Sequence, residues 1–419
     1  MKIAIYNHGI AFDGSTPYRQ PLGGSESSII YMAQELSRTG HEVTVYANCS
    51  SPPNLGEELK PPAPTYRHYH EFFTDYVSMP WDVLISFRSF DPFLLGRVAP
   101  RMIFWCGDAY DQPALKHFEH QALQKNIDLI LCVSNWHRET FIEKFRLLPE
   151  KVIATRNGFC PDLIPEATNR EWTRCAYSST PFRGLDVLLK IFPEMREQTS
   201  ALSLDVFSSM KVYGWTSDAD QQAFGWLYET AKQPGVTWHG SVSQPVLLDH
   251  LSRTGLFLYP NTFAETSCMA AIEAQASGCV VVTSARAALN ETVEHGRTGI
   301  CIKGEPATAE YQREFITTVR SLLENPERLN EFSNAARGRA FRIYTWAAIA
   351  AEWTAILEDM HARQVHARCT GPLTLLQKTH DYLRNGNVSA ATRVLSTLEQ
   401  TPFLRDEIEA LKGKLSTWM

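Results

Sequence analysis

The sequence predicts an α/β protein made of two doubly wound parallel-sheet domains in succession, facing each other across a cleft, with a helical hairpin appended at the C-terminal end. Three observations predict it. Short apolar runs rich in β-branched and aromatic residues alternate with longer stretches of helical period, the pattern of β-α-β units. Those runs are nearly continuous in apolar residues rather than alternating, as strands covered by helices on both faces must be. A chain of 419 residues also exceeds what one hydrophobic core commonly organises, so two or three domains are expected.

Taken in order, the first series of strands is predicted at Lys2–Tyr6, Glu42–Ala47, Asp82–Phe87, Met102–Cys106 and Asp128–Ser134. A second series follows at Cys175–Ser179, Ser203–Phe207, Val236–His239, Leu256–Tyr259, Val280–Ser284 and Gly299–Ile302. The boundary falls in the polar, Pro-bearing stretch Cys160–Trp172, and Ser51–Pro64 reads as an irregular loop because of its prolines. Helical period then takes over at Ala307–Glu324, Pro326–Phe341 and Trp346–Arg363. Two amphipathic segments, Thr370–Leu383 and Val388–Leu398, are separated by Asn385-Gly386-Asn387, and Arg405–Leu415 is a candidate third. The predicted division is 1–165, 166–345, a helix over 346–369, and a helical hairpin over 370–419. The hairpin reads either as a cap packed on the body or as a protein-contact module.

Composition narrows the function. Hydrophobic residues at 44% and charged residues at 21% match a soluble globular chain and exclude wholesale disorder. Forty basic against 46 acidic residues give a net charge of −6 without a long block of like charge, which argues against nucleic acid as partner. The start MKIAIYNHGI lacks the features of a signal peptide, and no apolar stretch approaches membrane-spanning length. A cytoplasmic location is therefore expected, with peripheral attachment at a membrane left open by the mildly basic His361–Arg368. Of nine cysteines, Cys106, Cys132, Cys279 and Cys301 lie inside apolar runs and read as buried reduced thiols, and no pair has the spacing of a structural zinc site.

Two elements carry chemistry. Pro21-Leu22-Gly23-Gly24-Ser25-Glu26 follows the first strand and opens a helix that runs to about Arg38. Paired glycines let backbone approach a ligand, and a helix start offers free N–H groups to an anion; a tight turn with a Ser cap is the blander reading. No G-x-G-x-x-G follows a candidate strand, which disfavours a dinucleotide enzyme. The second element is Phe263-Ala264-Glu265-Thr266-Ser267-Cys268-Met269-Ala270-Ala271-Ile272-Glu273, directly after the strand ending at Tyr259. A helix beginning near Ser267 places Glu265 before its positive end and Glu273 roughly 9 Å inside. The N–H groups of Thr266 to Met269 could then hold a diphosphate between two carboxylates, one for sugar hydroxyls and one for ribose hydroxyls.

With seven residues between Glu265 and Glu273, the chain resembles the retaining glycosyltransferases of the GT-B fold, glycosyltransferase family 4, over about residues 1–360. Val133-Ser134-Asn135-Trp136-His137, Arg156-Asn157-Gly158-Phe159, the turn Gly235–Ser241 with Val242, and Gly23-Gly24 are similar to that family's motifs in the same order. The resemblance implies two Rossmann-like domains, a metal-independent hexosyl transfer with retention, and a UDP or GDP sugar as donor substrate rather than a cofactor. It also implies that the helix from Trp346 crosses back onto the first domain. Glu265, Arg183 and Asp108 are then the candidate catalytic residues. Gly23, Gly24, Ser178, Ser179, Ser241, Val242, Thr266, Ser267, Cys268, Met269 and Glu273 are the candidate donor site.

Two places depart from the family pattern. Where relatives carry an Arg and, five residues on, a Lys, this chain has Ser178 and Arg183, so one cation of the pair is missing. Gly107 stands before Asp108 where relatives have His; Asp108 is otherwise read as a helix cap. Asp218-Ala219-Asp220 and Asp108 with Asp111 have the look of metal-binding acids, but Asp is common in a first helical turn, and no metal is expected. Of the aromatics Phe12, Tyr18, Trp105, Tyr110 and Trp136, the rings Tyr18 and Tyr110 are chosen as acceptor contacts for a saccharide, glycoside, protein or lipid acceptor. Two other classes stay open: a sugar-nucleotide binding or scaffold protein without turnover, and a GT-B nucleotide-sugar epimerase.

Overall fold

The computed structural model describes residues 1–50, 62–166 and 170–362, and in the C-terminal stretch 379–380, 382–383, 388–398 and 405–416. Most of Ser51–Pro64, most of Thr370–Leu383, the Asn385-Gly386-Asn387 turn, most of His361–Arg368 and part of the Cys160–Trp172 boundary lie outside the described residues.

The first domain holds seven parallel strands: β1 (Lys2–Tyr6), β2 (Glu42–Ala47), β3 (Thr65–His68), β4 (Val83–Phe87), β5 (Arg101–Trp105), β6 (Leu129–Cys132) and β7 (Val152–Ala154), in the order β3-β2-β1-β4-β5-β6-β7. Two of its helices bear on the cleft, α1 (Gly24–Arg38) and α2 (Asn135–Phe145). The second domain holds six: β8 (Glu171–Ser178), β9 (Ser203–Phe207), β10 (Val236–Trp238), β11 (Thr254–Tyr259), β12 (Val280–Ser284) and β13 (Gly299–Ile302), in the order β10-β9-β8-β11-β12-β13. Its longer helices are α3 (Leu185–Gln198), α4 (Ser217–Thr230), α5 (Gln244–Arg253), α6 (Met269–Ala276), α7 (Ala309–Leu323) and α8 (Pro326–Ile343). The remaining described helices are α9 (Trp346–Ala362), α10 (Val388–Leu398) and α11 (Arg405–Ser416).

The strands form where apolar runs can be buried on both faces. All five residues of β4, β5 and β12 are buried. Two strands escape a reading based on apolar runs. β3 (Thr-Tyr-Arg-His) is an edge strand without an apolar run, and β7 is an edge strand of only three residues, Val-Ile-Ala. The sheet orders reverse between β1 and β4 in the first domain and between β8 and β11 in the second. Loops diverge at such switch points and leave a crevice beyond the strand ends.

Two segments cross between the domains, and they touch. Phe159 N–H donates to the Tyr344 carbonyl at 2.8 Å, and Trp346 N–H donates to the Phe159 carbonyl at 3.2 Å. α9 then packs into the first-domain core through Trp346, Ile349, Trp353 and Leu357. The Trp353 ring meets Trp105 edge-on at 4.8 Å, and its Nε1 donates to Thr155 Oγ1 at 2.7 Å, which satisfies a buried indole donor. In the C-terminal stretch, Leu383, Ala391, Leu395, Leu398, Ile408, Leu411 and Leu415 form an apolar cluster of their own. The eight described cysteines are free thiols; Cys106, Cys132, Cys279 and Cys301 are among the buried ones.

Candidate active site between the domains

A cleft of about 800 Å³ opens at the two switch points and is lined from both sides. The first domain contributes the β1 loop from Asn7 to Ile10, Gly23 to Ser28, Phe87-Arg88 after β4 and Gly107 to Ala109 after β5. The second contributes Ser178 to Thr180 and Arg183 after β8, Ser241-Val242 and Gln244 at the start of α5, and Glu265 to Ala270 with Glu273. Every residue chosen from the sequence for catalysis or donor binding lines this cleft. Tyr18 and Tyr110 do not line it. Tyr110 is half-exposed, with the Lys144 ammonium 5.1 Å from its ring centre.

The glycine pair is explained by close approach. A Cβ on Gly23 would lie 2.7 Å from Glu26 Oε2 and 3.2 Å from the Val212 carbonyl, and one on Gly24 would lie 2.9 Å from Met269 Sδ. Val212 and Met269 belong to the second domain, so the pair lies where backbone of the first domain closely approaches the second. Gly23 also starts α1 without a side-chain cap, leaving the first-turn N–H groups to the cleft.

After β8 the chain turns back at Gly184, whose φ of +101° is natural only to glycine, and a Cβ there would lie 2.1 Å from the Pro260 carbonyl. This turn delivers Arg183 to Glu265. Arg183 Nη1 donates to the two Glu265 oxygens at 2.9 and 3.1 Å, and Nη2 donates to Tyr213 Oη at 3.1 Å. The guanidinium lies 4.5 Å from the Phe263 ring centre and 5.5 Å from that of Phe182. Burial opposes the Arg183 charge, but Glu265 foremost, with Tyr213 and Tyr259, outweighs it and holds the guanidinium firmly protonated. Glu265 also accepts from Tyr259 Oη at 2.6 Å. Arg183 Nε is buried with no partner among the described residues, a donor suited to an anion.

α6 begins at Met269, two residues later than the sequence suggests, and its N-cap Cys268 makes no side-chain cap bond. The residues from Thr266 to Met269 therefore form the loop that leads to the helix tip. Thr266 Oγ1 donates across the cleft to the Gly107 carbonyl at 2.5 Å. One turn into α6, Glu273 accepts from Gln244 Nε2 at 2.5 Å, and burial lifts its carboxyl to about 7 despite that bond. Ser241 Oγ donates to the Ser209 carbonyl at 3.4 Å, beside Phe207, which stacks on His239 at 4.6 Å.

Across the cleft Asp108 pairs with Arg88, Nε to Oδ2 2.6 Å. Arg88 has a φ of +57°, in the left-handed region that residues other than glycine rarely adopt. Burial raises the carboxyls of both Asp108 and Glu26, and Arg88 counteracts it in each. Asp108 is also within electrostatic reach of Arg183. Glu26 and Arg88 are site residues the sequence reading did not choose; the position of Arg88 directly after a switch-point strand is the signal that could have found it.

Polar ties that join the domains around the cleft include Thr266 to Gly107, Tyr31 Oη to Gln244 Oε1 at 2.5 Å, and Glu291 to α2. Glu291 accepts from Asn135 N, Asn135 Nδ2 and Trp136 N at 2.9, 3.0 and 2.6 Å, so an acid of the second domain caps a helix of the first. His137 of the same motif is buried, bonded through Nδ1 to the Val133 N–H at 3.2 Å, and depressed to about 3 by burial. Asp220 accepts from Ser209 Oγ, Met210 N and Tyr228 Oη at 2.6, 3.1 and 2.6 Å, which makes it a buried hub at the foot of α4. Asp205, His239 and His250 bring potential metal-ligand atoms within 4.8 Å of one another, a grouping absent from the sequence reading. Arg174 already supplies a cation there, with Nε 2.7 Å from Asp205 Oδ2 and Nη2 3.1 Å from His250 Nδ1.

Two doubly wound sheets facing a cleft, with the switch points of both at its walls, define the GT-B architecture. Solved structures agree in fold. The sucrose-phosphate synthase from Thermosynechococcus elongatus superposes with a TM-score of 0.65 at 16% identity, covering 87% of this chain and 100% of that one. Anabaena Alr3699/HepE in complex with UDP and glucose superposes with a TM-score of 0.65 at 14% identity, covering 86% and 100%. Residues 175–325 match the family model of the glycosyl transferases group 1. The lipopolysaccharide 1,2-N-acetylglucosaminetransferase of Salmonella typhimurium is 25% identical over 248 residues, 55% of this chain and 63% of that protein. The matched segment spans less than two thirds of the length of this relative.

Proposed function

We propose that the protein is a retaining glycosyltransferase that moves a sugar from a nucleoside-diphosphate sugar to an acceptor hydroxyl. The observation that carries this is the convergence, in one cleft, of Arg183, the tip of α6 and the two carboxylates Glu265 and Glu273. As the bond between sugar and phosphate breaks, negative charge grows on the leaving diphosphate and positive charge on the ring. Donors fixed in advance toward the diphosphate lower that barrier.

In this reading Arg183 and the N–H groups leading into α6 hold the diphosphate, with the α1 tip at Gly23-Gly24 facing them. The pairing of Arg183 with Glu265 keeps the guanidinium charged and aimed, while Glu265 positions the sugar hydroxyls. Glu273 takes the ribose hydroxyls. The departing phosphate oxygen removes the acceptor proton on the face it leaves, so the sugar configuration is retained. Neutralisation comes from Arg183 and helix ends rather than from a metal, and a chelator is expected to leave turnover unchanged.

Titrating UDP and GDP sugars against the protein, with and without acceptor saccharides, tests the reading. Nucleotide release with product of unchanged anomeric configuration supports it. Tight donor binding without release points to a binding protein, and an inverted product overturns retention.

A further inference from the structure

Glu273 has one hydrogen-bond partner among the described residues, Gln244, and that partner is itself held from the other domain. Gln244 is the first residue of α5, and its Nε2 lies 2.5 Å from Glu273 Oε1. Its Oε1 lies 2.5 Å from Tyr31 Oη, on α1 of the first domain. Tyr31 is buried, and its ring stacks on Trp346 at 6.5 Å with an interplanar angle of 25°.

We propose that Tyr31 and Gln244 form an interdomain relay of positioning residues that orients Glu273 toward the ribose hydroxyls of a nucleoside diphosphate. The chemistry of the three groups fixes the direction. In its ionised form the Glu273 carboxylate only accepts, so for that form the amide must turn its NH2 to Glu273 and its oxygen to Tyr31, the arrangement the structure has. A phenol can donate to that oxygen, and its donation holds the amide against the flip that would set oxygen against oxygen. With Oε1 of Glu273 so occupied, Oε2, which carries no hydrogen bond to the described residues, is left for the cleft, whose wall Glu273 and Gln244 both form. The relay crosses the domain boundary, so it is intact only when α1 and α5 are side by side. Nucleoside recognition is thereby tied to the closed juxtaposition of the domains. The inference rests on the proposed ribose role of Glu273.

The test is calorimetric titration of the full chain with UDP and GDP and with their 2′,3′-dideoxy counterparts. The proteins are wild type, Tyr31→Phe, Gln244→Ala and the double variant. Tyr31→Phe keeps the ring on Trp346 and removes only the hydroxyl. It is expected to weaken the ribonucleotide by about fivefold, the size of one hydrogen bond, and to leave the dideoxy form unchanged, so the preference for ribose shrinks. In the Gln244→Ala background the same change should add nothing, because the link is already broken. A wild-type ribose preference in Tyr31→Phe, or additive losses in the double variant, overturns the relay while leaving the glycosyltransferase reading intact. Equal binding of ribo and dideoxy forms by wild type removes the ribose role of Glu273 and the relay with it. Failure of wild type to bind either diphosphate overturns the functional reading itself.

Discussion

Replacing Glu273 by Gln isolates the energetic consequence of burying an acid in the cleft wall. Burial lifts its carboxyl from 4.5 to about 7, so the folded protein favours the neutral form. Between those two values the folded state binds more protons than the unfolded chain, and stability falls as pH rises through that window. The contribution is fully present below the unfolded value and lost above the folded one. At about 1.4 kcal/mol per pKa unit, the loss amounts to about 3 kcal/mol on the alkaline side. Gln is neutral throughout and can still bond Gln244, so it mimics the protonated acid. Urea denaturation of both proteins at a series of pH values gives the difference directly, since all other titrating groups are shared. Equal stability is expected near pH 4, with the variant pulling ahead by about 3 kcal/mol by pH 8. A gap that does not change with pH would refute the argument that Glu273 is held partly neutral by burial.

On the proposed ribose role of Glu273 the ionised form is the better acceptor, so affinity for a nucleoside diphosphate should rise as pH increases through about 7, and a flat profile in wild type would contradict that. Arg183→Lys retains a charge but not the fork on Glu265 and Tyr213; turnover is expected to drop by about 10²-fold, as for loss of one preorganised donor, with unchanged turnover removing Arg183 from the reaction. Gly184→Ala meets both a φ of +101° and the Pro260 carbonyl at 2.1 Å, so it should cost roughly 3 kcal/mol or more, and a wild-type melting temperature would count against this. Glu291→Ala removes three bonds at the start of α2; small-angle scattering should show a larger radius of gyration, and an unchanged one would mean that this tie does not hold the domains together.

Much of the fold was legible because long apolar runs can be satisfied only by strands buried on both faces, as in β4 and β12. β3 was not, since its Thr-Tyr-Arg-His sequence has no apolar run and gains its place by pairing with β2. The second-domain half of the site was legible for a local reason: Glu265, the α6 tip and Glu273 lie on one loop and one helix. The roles of Tyr31, Gln244 and Glu291 were not, because each takes its meaning from a residue in the other domain, more than 150 positions away. Arg88 and Asp108 belong to different strand ends and meet only once β4 and β5 are side by side. The glycine pair was recognised from the sequence, but not that Val212 and Met269 of the second domain are its close neighbours.

The two crossing segments, hydrogen-bonded to one another at Phe159, Tyr344 and Trp346, behave as a double-stranded pivot. A single linker would let the lobes drift apart and twist in any direction, whereas a paired one resists torsion and permits chiefly a swing about the line of contact. α9 fixes one side of that connection to the first domain through the packing of Trp353 on Trp105. A connection of that kind favours one register between the lobes, the one in which Tyr31 meets Gln244 and Thr266 meets Gly107.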